Sequence, residues 1–209
     1  MKKIFSKLFK KNIFDYIYFI EIFIPYLKTQ ILYKYLFKKV GNNSWIKCPD
    51  RIFNAGSIEI GSQVKIEKGS ILYAVNKYAD KTYNGKIIIG DGVYANRYFN
   101  ITAAESVIIG HNVSFGPNVF INDFDHSFED IGINIIISPL KCKGGVYIGD
   151  GSWIGANVFI TGGVTIGKHC VIAANSVVTK SFPDYSVVAG IPAKIIKKYC
   201  HEDKMWVKV

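Results

Sequence analysis

From residue 148 the chain reads IGDGSW, IGANVF, ITGGVT, IGKHCV and IAANSV, with an aliphatic residue at every sixth position: Ile148, Ile154, Ile160, Ile166, Ile172 and Val178. An earlier block keeps the same beat through Ile89, Ala95 and Ile101, gains two residues, and resumes at Ile109, Phe115 and Ile121. A fainter start appears at Ile60, Ile66 and Leu72. A period of six is neither the helical 3.6 nor the strand alternation of two. It suits a short strand and a turn, repeated as a solenoid. The fourth residue of each unit is Gly92, Asn112, Asn118, Gly151, Asn157, Gly163, His169 or Asn175. Glycine and asparagine, and histidine to a lesser degree, tolerate positive φ. Each unit is therefore predicted to turn once through the left-handed region, with its first residue facing the core. Neighbouring coils then bury one another's inner faces.

The beat stops after INDFDH (121–126), and residues 127–145 must leave the coil as a loop. A second excursion, YAVNKYADKTYNG (73–85), interrupts the earlier units. Excursions from a regular scaffold are where binding surfaces and active sites are built. His126 stands at the root of the longer loop. Of the other three histidines, His111 and His169 fall on turn positions and His201 in the tail, where they read as solvated residues. An imidazole with an ordinary pKa near ~6.5 suits a general base at neutral pH. Its structural alternative is a residue hydrogen-bonded to Asp123 or Asp125. Trp153 closes GDGSW and should point outward, where so large an aromatic must cover a ligand or a neighbouring subunit.

The chain has 209 residues and a net charge of +10, which fits one medium domain and an appendage. The charge is uneven: residues 1–40 hold nine lysines against Asp15 and Glu21, or +7. Arg51 and Arg97 are the only arginines, and there is no basic stripe outside the arm, so nucleic acid is set aside as a partner. Asp15, Glu21 and Pro25 interrupt the apolar run of the arm, which reads neither as a secretory signal nor as a spanning helix. Two readings stay open: helices packed on the main domain, or a basic-aromatic segment in peripheral contact with an anionic membrane face. Four cysteines without a CxxC pair point to free thiols in the cytoplasm.

These hexapeptides resemble the left-handed parallel β-helix of the hexapeptide-repeat acyltransferases over residues 58–198. The string ending VVAGIPAKII is most similar to the branch of galactoside, maltose and polysaccharide O-acetyltransferases. The resemblance implies an all-β solenoid (46–193) between a helical arm (1–45) and a short C-terminal helix or tail (194–209). It implies an acetyl-CoA-dependent O-acetyltransferase acting on a sugar hydroxyl in surface polysaccharide biosynthesis, assembled as a homotrimer with intersubunit sites and needing no metal. His126 would be the base for direct attack, Asn100 an acceptor contact, and Asp125 a neighbour of substrate and imidazole. Trp153 would border the acyl-CoA channel, and the Ala156 N–H would stabilise the oxyanion. Ala174 and Thr179 match pantetheine contacts, and Lys180, Lys194 and Lys197 the phosphate positions. At the latter two, where relatives often carry arginine, lysine keeps the charge but loses the planar fork. Three rivals remain: an N-acetyltransferase on an amino-sugar nucleotide, a three-histidine zinc hydratase, and a non-catalytic solenoid. The histidine gaps of 15 and 43 residues do not match the hydratase pattern.

Overall fold

The computed structural model describes residues 12–209. Its strands fall on three parallel faces. The first face holds Lys39–Val40, Ile58–Ile60, Lys86–Ile89, Ser106–Ile109, Val146–Ile148 and Thr165–Ile166. The second holds Trp45–Ile46, Lys65–Ile66, Tyr94–Ala95, Ser114–Phe115, Trp153–Ile154, Val171–Ile172 and Ser186–Gly190. The third holds Arg51–Phe53, Ile71–Ala74, Asn100–Ala103, Phe120–Asn122, Phe159–Ile160 and Val177–Val178. Each coil visits the three faces in turn, so three hexapeptides make one coil. The six-residue spacing thereby becomes vertical stacking: Ile60, Ile89, Ile109, Ile148 and Ile166 pair in register, one above the next, all buried.

All eight predicted turn residues adopt positive φ, between 49° and 74°. Asparagine adds a second bond to this role. The Asn118 Nδ2 donates to Asn157 Oδ1 at 3.0 Å, and Asn157 Nδ2 donates to Asn175 Oδ1 at 3.0 Å, a ladder along one corner.

The coil begins earlier than expected, because residues 39–53 already form one strand on each face. The signal was present in Val40, Ile46 and Ile52, six apart, but it sat beside the aromatic arm. The expected boundary at residue 45 therefore cuts through the first coil. At the other end the structure has no helix: Ala193–Cys200 returns antiparallel along Ser186–Gly190, and Met205–Lys208 pairs with it in turn. Burial, rather than residue polarity, alternates along Ala193–Tyr199, as in a strand with one covered face.

The arm is helical over Ile13–Lys28 and continues as Thr29–Tyr33 and Lys34–Leu36. It seats on the first coil through one face. Tyr33 and Phe37 join the core, the Thr29 hydroxyl accepts the Ile46 N–H at 2.9 Å, and the Gln30 amide donates to the Gly41 and Ser44 carbonyls. Lys2, Lys3, Lys7, Lys10 and Lys11 lie outside the described residues.

Candidate active site

Four consecutive coils are interrupted where the third face passes to the first, at residues 53–58, 73–85, 103–106 and 123–145. One corner thus carries every insertion. The longest one returns on itself: Leu140–Cys142 pairs antiparallel with Phe124–His126, setting His126 opposite Leu140. The strand Val146–Ile148 then rejoins the first face, which restores the beat.

Asp123 anchors this departure. Its carboxylate is fully buried and accepts the N–H groups of Ala104, Glu105 and Ser106 at 2.7, 2.9 and 2.7 Å. Burial pushes its carboxyl up from the ordinary aspartate value, and the three donors pull it back only in part. The double glycine of ITGGVT lies beneath. A Cβ on Gly162 would stand 2.6 Å from the Asp123 carbonyl oxygen, and Gly163 has φ +74°. Only glycine lets the fifth coil pass so close to the root of the loop.

The shorter insertion forms a hairpin, Lys77–Tyr78 with Lys81–Thr82, and leans onto the longer one. The Tyr78 hydroxyl donates to the Ile136 carbonyl at 2.5 Å, while its ring meets the His126 ring edge-on, centroids 5.2 Å apart. The Tyr83 hydroxyl accepts the Leu140 N–H at 2.8 Å. These tyrosines stitch the two excursions together around a cavity of about 390 Å³, walled by Tyr73, Tyr78, Thr102, Phe120, Asn122, Asp125 and His126 among others. His126 is exposed at its mouth.

Among the described residues neither aspartate is hydrogen-bonded to the imidazole. Asp123 is committed to the 104–106 backbone, and Asp125 forms an ion pair with Lys143 while lining the cavity. Asn100 does not line it, but lies two residues before Thr102 on the same strand; its buried Oδ1 has no hydrogen-bond partner among the described residues. A buried amide oxygen without a donor is costly.

The residues matched to acyl-CoA contacts lie mostly elsewhere. Trp153 stands on the second face, 57% exposed, between Ser114 and Val171. Ala156 and Ala174 occupy successive coils at the corner between the second and third faces. Their N–H groups find no protein acceptor among the described residues. Lys194 pairs with Ala189 and Lys197 with Val187. Strict alternation would put these lysines on opposite sides of their strand, but the register shift beside Val187 brings both outward. Thr179 and Lys180 are exposed at the His126 corner, two coils further on. Sequence reasoning missed Tyr78, Tyr83 and Lys143; the three tyrosines within 73–83 were the available clue. His111 and His169 share the corner between the first and second faces, away from His126, and among the described residues no three His, Cys, Asp or Glu side chains converge as a metal site.

A solenoid of stacked hexapeptides defines a class with known members. The family model "Bacterial transferase hexapeptide (six repeats)" matches residues 145–180. The chain is 37% identical over 196 residues to WbbJ of Escherichia coli (strain K12), assigned as a lipopolysaccharide biosynthesis O-acetyl transferase, covering 91% of this chain and 93% of that one. It is 32% identical to the galactoside O-acetyltransferase of the same organism, over 85% of this chain and 71% of the relative. Among solved structures, a hexapeptide-repeat acetyltransferase from Vibrio cholerae complexed with acetyl-coenzyme A aligns over 81% of this chain and 75% of its own, with 27% identity and a TM-score of 0.54. An N-acyltransferase from Bacillus cereus in complex with dTDP and coenzyme A shares the fold, with a TM-score of 0.67 at 24% identity over 83% of this chain and 90% of its own. The chain belongs to the hexapeptide-repeat transferases. It is an acyltransferase built on their left-handed β-helix.

Proposed function

We propose that the protein transfers an acetyl group from acetyl-CoA to a sugar hydroxyl during surface polysaccharide assembly, with His126 as general base. The observation that carries this reading is His126 at the mouth of a cavity where two tyrosine-rich excursions meet. The imidazole takes the proton of the acceptor hydroxyl as its oxygen attacks the thioester carbonyl. The carbon–sulfur bond then breaks, the coenzyme A thiolate leaves, and an ester forms. No covalent enzyme intermediate is needed, because the thioester is already activated. The free Ala156 N–H is a donor suited to the oxyanion, and outward Lys194 and Lys197 suit the coenzyme phosphates.

A homotrimer suits the same layout. The His126 cavity and the group formed by Trp153, Ala156 and Ala174 lie on different corners of one protomer. Two copies side by side, with the second corner of one against the loop corner of the other, would bring donor and acceptor together. The enzyme then works in the cytoplasm at the inner face of the membrane.

The test is free-thiol release from acetyl-CoA against a panel of sugars and polysaccharide fragments, comparing wild type with His126→Ala. An acceptor should stimulate release, and the substitution should lower it by roughly 10²–10⁴-fold. Full retention of activity would remove the base and favour an acceptor that is already nucleophilic, such as an amine.

A further inference from the structure

The arm helix has two apolar sides, and only one of them is used. Ile22, Pro25, Tyr26, Thr29 and Tyr33, at helical spacing, are buried or half-buried toward the first coil. On the opposite side Ile13, Ile17, Ile20, Phe23, Ile24 and Leu27 are each 38–69% exposed. A helix lying on a soluble domain ordinarily turns charged residues outward. Here Asp15 and Glu21 are the only charges between Ile13 and Leu27, and Glu21 is tied to Lys47 at 2.9 Å. A contiguous exposed apolar face of this kind marks a docking surface.

Charge selects the occupant. The nine lysines of residues 1–40 leave the segment at +7, and five of them precede the helix. A second copy would bring its own lysines alongside and meet repulsion, whereas an anionic leaflet attracts them. The helix of 16 residues is about 24 Å long. Among the described residues no helix is long and apolar enough to cross a membrane. Such a segment lies in the interface plane, apolar side down.

We infer that this helix docks the enzyme on an anionic membrane surface, and that the acceptor saccharide is presented there on a lipid carrier. The second half rests on the acetyl-transfer reading above. The arm seats on the first coil and His126 belongs to the fourth, three strand spacings of ~4.8 Å away, or about 14 Å along the coil axis. A saccharide of a few units, fixed at a lipid headgroup, spans that distance. The tyrosine hairpin at 77–82 leaves from the second coil, between the arm and the base.

The experiment is co-sedimentation of the full chain with vesicles of phosphatidylcholine alone and of phosphatidylcholine with phosphatidylglycerol, at low and high salt. Sedimentation only with the anionic vesicles, weakened by salt, is expected. The variant Ile17→Glu/Ile20→Glu/Ile24→Glu should lose it at least tenfold while keeping its oligomeric state and its thiol release with a soluble sugar acceptor. The milder Ile20→Ser/Ile24→Ser should lie between. Wild type left in the supernatant would overturn the docking while leaving acetyl transfer intact. A triple variant that dissociates into protomers would assign the face to a second copy instead. Vesicle binding without a sugar acceptor of any kind would overturn the lipid-linked acceptor together with the functional reading, and leave the docking standing.

Discussion

Replacing Asp123 with alanine tests how the scaffold holds its longest loop. The wild-type carboxylate accepts three backbone N–H groups from the preceding coil and is itself sealed from solvent. Alanine strands the buried Ala104 N–H, at about 1–3 kcal/mol. Glu105 is exposed and Ser106 half-buried, so water can reach their N–H groups; those two bonds are worth about 0.5–1.5 kcal/mol each. Relief of the desolvated carboxylate offsets part of the sum. The net loss is about 2–4 kcal/mol, read by urea unfolding at fixed protomer concentration, since assembly adds to stability. Turnover should fall as well, because His126 lies three residues beyond the lost anchor.

Acidity offers a second readout on the same variant. Burial raises the Asp123 carboxyl in the folded state. Its linkage contribution is therefore fully present below the unfolded value near ~3.9 and is lost as pH rises through the folded value. The alanine variant should lack that slope. A loss under about 0.5 kcal/mol with turnover unchanged would refute the anchoring argument.

Tyr78→Phe keeps the ring against His126 and loses only the bond to Ile136, so its turnover should stay within about threefold of wild type; Tyr78→Ala should fall roughly tenfold further, measured as kcat across the pH–rate profile. Lys194→Ala/Lys197→Ala should raise KM for acetyl-CoA about three- to tenfold with kcat unchanged, an effect that shrinks as salt is added. Asn157→Ala breaks the asparagine ladder and places a Cβ-bearing residue without a compensating bond at φ +57°; it should cost about 1–2 kcal/mol by urea unfolding, and Asn157→Gly should recover most of it.

The order of residues alone determined the coil. A hexapeptide marker needs only local information, because each strand pairs with a neighbour three units away and the turn residue fixes its own φ. For the same reason the break after His126 could be read directly, since a loop announces itself wherever the marker fails. The first coil at Val40, Ile46 and Ile52 obeyed the same rule and went unread beside an arm rich in aromatics. What the loops do once they leave the coil followed no period, and only the tertiary structure decided it. The Tyr78 and Tyr83 hydroxyls close on carbonyl and amide groups 58 and 57 residues away, respectively. Asp123 and Asp125 are two residues apart in sequence and alike as side chains. One is sealed under three amides of another coil and the other is ion-paired to Lys143 at a cavity wall. The tail shows the same division: AKIIKKYC carries no clean alternation, and the register shift that turns Lys194 and Lys197 to one side exists only in the pairing with Ser186–Gly190. Short-range periodicity wrote the scaffold, and long-range hydrogen bonds between its interruptions shaped the site.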